Sequence, residues 1–188
     1  MIFSVEGTFE KVKAGQKVVT RRPVKSGDRF EFEGVNIIRV IRDGRLLWEV
    51  GKEYAVQPGR GVEGEGKMRI LHLEVDPNPG NMPKIEAILE GFDHPRQFKA
   101  EWIEMYGDDQ LWRPAHRILF GYIPEGMTWE DVEEDALKAI ATLMVEGEPE
   151  VDLTGGIRSD EEMEKAENVE GLNDALDESG AEAIAGIS

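Results

Sequence analysis

Gly15-Gln16-Lys17-Val18-Val19-Thr20-Arg21-Arg22-Pro23 is the stretch from which the rest of the chain is read. Ahead of it, Thr8 to Ala14 has the pattern of a short helix, with Thr8 as its cap and Phe9 and Val12 on an apolar face. Gly15 ends that helix, because glycine takes the left-handed conformation without steric cost. Lys17 to Thr20 then reads as a strand, since Val18 and Val19 are β-branched. Alternation puts Lys17 and Val19 on one side and Val18 and Thr20 on the other. Twist near a strand end would bring Lys17 and Thr20 around a common cavity, which spacing by itself does not impose. Arg21 and Arg22 follow, and Pro23 ends the pairing. A lysine, a hydroxyl and two guanidiniums within one short run suit an anionic or carbonyl-bearing ligand. The alternative is a surface strand edge with solvated charges.

The chain has 188 residues, enough for one domain and an appendage, and its hydrophobic fraction is 40%. It has no cysteine, which excludes disulfides, thiolate metal sites and a cysteine nucleophile. The N-terminal residues lack the basic region and long apolar run of a secretory signal, and no stretch approaches the length of a membrane span. A cytoplasmic protein is expected, in a bacterium or a phage-infected host cell, with no membrane association. The net charge of -17 is unevenly placed. Residues 124–188 hold 20 Asp/Glu and 3 Lys/Arg, so residues 1–123 balance to zero. A neutral body can still carry a basic patch for a nucleic acid or nucleotide.

Outward from the opening stretch, Met1 to Val5 is a short strand candidate and Lys25-Ser26-Gly27-Asp28 is turn chemistry. Arg29 to Glu33 alternates as a half-buried strand, Val35 to Arg42 is a second, and Asp43-Gly44 signals a hairpin returning through Arg45 to Val50. Lys52 to Gln57 adds a strand before the glycine-rich loop from Pro58 to Gly66, whose spacing fits neither phosphate-binding glycine motif. Lys67 to Val75 is a strand in which Met68, Ile70 and His72 alternate with Arg69, Leu71 and Leu73. Two helices follow, Pro83 to Leu89 and Pro95 to Tyr106. The second has Asp93 as its cap and an apolar stripe of Phe98, Trp102 and Met105 or Tyr106. His116 to Ile123 is a last strand. Many short strands with few helices predict a small α+β barrel. From Pro124 the character changes. Thr128 caps an acidic helix from Trp129 to about Glu146, with Val132, Ala136, Ala139, Ile140 and Leu143 as a stripe that needs the barrel or another protein as partner. The expected division is a domain over 1–123, an acidic amphipathic helix over 124–147 and an acidic, disordered tail over 148–188. That acidic region is also a candidate for docking on a protein partner.

The stretch GQKVVTRRP resembles the G-x-K-T-x-T-R-R motif of ASCH domains, a branch of the PUA-like β-barrels. Lys25 to Arg29 resembles the family's K-x-G-D turn, and Ala55 to Gly61 with the strand after it resembles a segment of phage and prophage members. Ala87-Ile88-Leu89-Glu90-Gly91-Phe92 resembles A-x-x-E-G-F. Phe98, Trp102 and Tyr106-Gly107 are similar to the aromatic helix that follows it, and Ile118 to Ile123 to the closing strand. The resemblance covers about residues 8–123. It departs at Val18, where threonine is usual, and over 35–54, which reads as an extended hairpin. It implies a small PUA-like barrel with two or three flanking helices, and RNA or a nucleobase-like ligand in the cleft between barrel and helices. It also implies, for one branch, amide hydrolysis of N4-acetylcytidine by a Lys, a Thr and a Glu, which fall on Lys17, Thr20 and Glu90.

The chemistry of those three is coherent. A threonine hydroxyl is inert at its free pKa, a lysine in a partly dry cleft can lose its proton, and a desolvated glutamate can return one to a departing nitrogen. The competing reading makes Lys17 and Glu90 a structural ion pair. Arg21 or Arg22 would hold a phosphate or an oxyanion, Arg60 would extend a basic lip, and Trp112 would stack on a base or plug the core. His72, His94 and His116 are dispersed without metal-ligand spacing, so neither a metal nor a cofactor is expected.

Overall fold

β-branched and aromatic residues gather in short runs that form strands, and amphipathic runs between them form helices. In order they are α1 (Thr8–Lys13), β1 (Val19–Pro23), β2 (Asp28–Glu33), β3 (Asn36–Arg42), β4 (Arg45–Glu49), β5 (Glu53–Ala55), β6 (Lys67–Asp76), α2 (Lys84–Leu89), α3 (Pro95–Tyr106), β7 (Ala115–Ile123) and α4 (Trp129–Glu146). The computed structural model describes residues 1, 3 and 7–146. The tail expected over 148–188 lies outside the described residues, as do all of the expected strand Met1–Val5 but Met1 and Phe3. Those two bond through their backbones to Gln57.

The seven strands make one antiparallel sheet with the path β1-β7-β6-β3-β2, on which β4 pairs with β3 and β5 with β6. The expected barrel is therefore corrected: the sheet is open, and no ladder joins its ends β1 and β2. β1 finishes at Pro23, which has no N–H to offer a further strand. Side chains link β2 to β7 instead. Asp28, at the start of β2, takes a 2.8 Å hydrogen bond from His116 Nε2 on β7 and is gripped by Arg42 of β3 at 2.5 and 2.9 Å.

One face of the sheet carries the main core, in which Ile37, Val40, Met68, Ile70, Leu73 and Phe120 are buried with Phe9 and Val12 of α1. The strict alternation expected in β6 fails there. A register shift between Ile70 and His72 turns Leu73 inward and leaves His72 half-exposed. Two cap assignments also change. α1 is capped by Gly7, and Thr8 is its first residue and not its cap. α3 is capped by His94, whose Nδ1 accepts from Arg96 N at 3.1 Å while Gln97 Oε1 accepts from His94 N at 3.2 Å.

α4 lies on the sheet and on α2. Ile140 packs with Val18, Val19 and Leu89, and Val132 with Ile123. Its Trp129 sits on Gly121 of β7, where a Cβ would come within 2.5 Å of the indole. The stripe therefore finds its partner within the same chain. At the start of α4, Thr128 donates from both its backbone N and its hydroxyl to Asp131 Oδ2, at 2.8 Å each.

Candidate functional site

β1 is the edge of the sheet, so side chains from both of its faces reach one hollow beside α3. Lys17 sits just before the strand, held by the turn that closes α2. Glu90 caps that helix, and Gly91 follows with φ +83, its Cβ position 3.2 Å from Lys17 Cβ. A side chain at Gly91 would be strained by the backbone and crowded by the lysine. Phe92 then turns its ring to within 5.8 Å of Lys17 Nζ.

The hollow has a volume of about 270 Å³. Lys17, Thr20, Arg21 and Glu90 line it and are 4, 2, 4 and 3% exposed. Phe92, Phe98, Trp102 and Tyr106 form an aromatic wall, and Arg22, Arg60 and Glu101 stand with them. Arg22 Nη1 donates to the Tyr106 hydroxyl at 3.2 Å. Of the residues singled out in the sequence, Trp112 alone is elsewhere. It is 54% exposed and lies over Gly80, with Lys99 Nζ 6.0 Å from its ring.

Lys17 and Glu90 meet. Lys17 Nζ donates to Glu90 Oε2 at 2.5 Å and to Glu90 O at 2.7 Å. Glu90 Oε1 accepts from Arg21 Nη1 at 3.2 Å. Both carboxylate oxygens thus take hydrogen bonds from basic side chains. Burial pushes the Lys17 pKa below its ordinary value, against the opposing pull of Glu90. Thr20 shares the hollow, but no hydrogen bond among the described residues joins its hydroxyl to Lys17 or Glu90.

Arg21 is spoken for by three carboxylates. Nε donates to Asp76 at 2.7 Å, Nη2 to Glu86 at 2.6 Å and Nη1 to Glu90. Burial lowers its pKa, but these partners outweigh burial and raise it. It holds Glu90 in place and has little left for a ligand. In the β1–β7 ladder Arg21 is directly opposite Arg117, a like-charge pairing that costs stability when bare. Glu86 bridges them, taking Arg117 Nε at 2.7 Å and Nη2 at 2.8 Å beside Arg21. Burial acts to raise the Glu86 pKa, and the two guanidiniums reverse that and lower it.

Sequence reasoning missed Asp76, Glu86, Arg117, Phe92 and Glu101. Glu86 had a signal, since it precedes Glu90 by one helical turn and so shares its face. Asp76 and Arg117 had none, because strand register brings them in. Among the described residues no cluster of His, Asp and Glu is placed to hold a metal, and no helix is long and apolar enough to cross a membrane.

No family model and no curated protein matches this chain. Among solved structures, protein EF3133 from Enterococcus faecalis V583, described under the family DUF984, superposes with a TM-score of 0.41 at 16% identity. The match covers 62% of this chain and 70% of that one. A superposition at that level transfers neither fold nor function.

Proposed function

We propose that this chain binds a nucleoside, or an unpaired base of RNA, in the hollow between β1 and α3. The observation that carries the reading is the Lys17–Glu90 pair, buried at the end of a pocket walled by aromatic rings. Burying two charges is costly, and a hydrophobic pair of similar volume would stabilise the fold as well or better. The groups are retained at a surface hollow, where a ligand can use them. A planar heterocycle needs an apolar face to stack on and a few fixed donors and acceptors at its edge. Phe92, Trp102 and Tyr106 supply the first. The remaining N–H of Lys17, the Thr20 hydroxyl and the lone pairs of Glu90 supply the second. The likeness of residues 8–123 to ASCH domains of the PUA-like class supports the same ligand chemistry.

A second reading is hydrolysis of N4-acylated cytidines, favoured by the depressed Lys17 pKa beside a hydroxyl. Thr20 would pass its proton to a neutral Lys17 and attack the acyl carbon. The C–N bond would break as Lys17 returned that proton to N4, and water would then release the acyl group. Because Lys17 here donates to Glu90 and is not bonded to Thr20, binding stands ahead of catalysis. Incubation with N4-acetylcytidine separates the two. Cytidine release that vanishes in Thr20→Val establishes the enzyme, and saturable binding without release establishes the binding protein. Failure of nucleosides, nucleotides and short RNA to bind contradicts both.

A further inference from the structure

Lys17 and Glu90 each stand next to an apolar residue that packs away from the hollow. Val18 follows Lys17 and Leu89 precedes Glu90, and both are buried in one cluster with Val19 and with Ile140 of α4. The dipeptides Lys17-Val18 and Leu89-Glu90 are clipped together twice. Val18 N donates to Leu89 O at 2.9 Å, and Lys17 Nζ donates to Glu90 Oε2 at 2.5 Å. Their charged members line the hollow, and their apolar members pack against α4. α4 meets the same turn at a second place. Gly15 has φ +69, and its Cβ position is 3.5 Å from Ala139 Cβ, an ordinary van der Waals distance. A groove of about 340 Å³ lies between that turn and α4, and Lys17 lines it as well as the hollow. One residue thus stands between the ligand hollow and the space beneath α4.

We propose that Ile140 is a positioning residue for the ligand site: by holding Val18 against Leu89 it sets the placement of Lys17 and Glu90, so that α4 is a working part of the site. This rests on the ligand-site reading above. Lys17 and Glu90 are 73 residues apart in the chain, so their placement is set by whatever clamps the two segments. Ile140 is 6% exposed and sits where both segments are within its reach. A packed interior has few voids to absorb a displacement, so it passes the displacement on. Truncating Ile140 opens a cavity beside Val18 and Leu89, and the segments can close it only by moving. The ion pair on their other side then loosens, and water reaches the ammonium. The stretch that resembles ASCH domains, residues 8–123, therefore does not contain everything the site needs.

The test follows the titration of Lys17 by nuclear magnetic resonance in the full chain carrying isotope-labelled lysine. Calorimetric affinities for adenosine, cytidine, guanosine and uridine and for their 5′-monophosphates are measured beside it. Burial lowers the Lys17 pKa, Glu90 opposes that, and the guanidiniums of Arg22 and Arg21 add to the lowering. Ile140→Ala is expected to move the titration up toward the ordinary lysine value of 10.5. It is also expected to weaken the best-bound probe about tenfold, the scale on which a packed path shifts a site it does not touch. Ile140→Val removes a single carbon and is expected to move both readouts the same way by less; it carries the test if the alanine variant does not fold. Val40→Ala, a truncation in the main core outside the lining of the hollow, is expected to lower the melting temperature and leave both readouts as in wild type. A Lys17 titration in Ile140→Ala that matches wild type overturns the proposal. So does one that moves equally in Val40→Ala, and so does an unchanged affinity. If no probe binds wild type, the nucleoside reading falls, and the Lys17 titration still decides whether Ile140 places the pair.

Discussion

A buried ammonium against a buried carboxylate holds only while both are present. Truncating Lys17 or Glu90 to alanine leaves the other charge stranded at a site less than one-twentieth exposed. Each single change is expected to cost about 3–5 kcal/mol in urea denaturation. The double variant Lys17→Met/Glu90→Leu removes both charges and is expected to cost far less than either single change. A loss in the double variant equal to the sum of the two single losses would mean that the pair is not coupled. Lys17, Thr20 and Arg21 were legible as candidates because a lysine, a hydroxyl and a guanidinium crowd one short strand-like run, and Glu90 through the resemblance to ASCH domains. Their division of labour was not. Arg21 reads in the sequence as a phosphate binder. In the fold it is a clamp, because Asp76 and Glu86 reach it from β6 and α2. Trp112 reads as a stacking residue or a plug of the core; in the fold it is half-exposed over Gly80, at the end of a short helical turn over Asp108–Trp112 and away from the hollow.

At the scale of elements, the positions of helices and strands followed from periodicity, and α3 begins and ends where Pro95 and Gly107 place it. The bulge in β6 was invisible, because nothing in the residue types marks where a ladder slips. The burial of α4 depends on a contact that sequence pattern also misses, the approach of Trp129 to Gly121. A Gly121→Ala change forces the indole off its seat. The expected cost is about 1–3 kcal/mol, the usual penalty for overpacking. It should appear as a lower melting temperature and faster proteolysis within residues 129–146. A melt unchanged by Gly121→Ala would mean that α4 is not docked through this contact. Trp129→Ala should cost about 3–5 kcal/mol by the same assay.

Across the whole molecule, the sheet path was beyond the sequence, because strand order depends on contacts distant in the chain. Closure was expected from the number of short strands, but the sheet is open, and β2 is tied to β7 by Asp28 and His116 without a ladder. Burial acts against the Asp28 carboxylate, yet hydrogen bonds from Arg42, Lys25 N and His116 hold its pKa well below the usual range. Burial also pushes the His116 imidazole below its ordinary value of 6.5, against the pull of Asp28 and with Arg42 adding to the shift. Its Nδ1 is buried without a partner, which suits the neutral ring and leaves an imidazolium N–H unsatisfied. The unfolded chain therefore takes up a proton that the fold resists. His116 contributes stability that is fully present above about pH 6.5 and is lost as pH falls through its folded pKa. Denaturation midpoints should drop between pH 7.5 and 5.5, and His116→Gln should flatten that slope. An unchanged slope would place the titrating group elsewhere.

The claim on which the account turns is that the hollow around Lys17 and Glu90 is a ligand site and more than a buried ion pair. It is tested most directly by titrating wild type and the Lys17→Met/Glu90→Leu variant with the four nucleosides and their 5′-monophosphates, after both have been shown to melt cooperatively. The account predicts saturable binding of at least one of them to wild type and none to the folded double variant. Equal binding by the two proteins, or no binding by wild type, would contradict it.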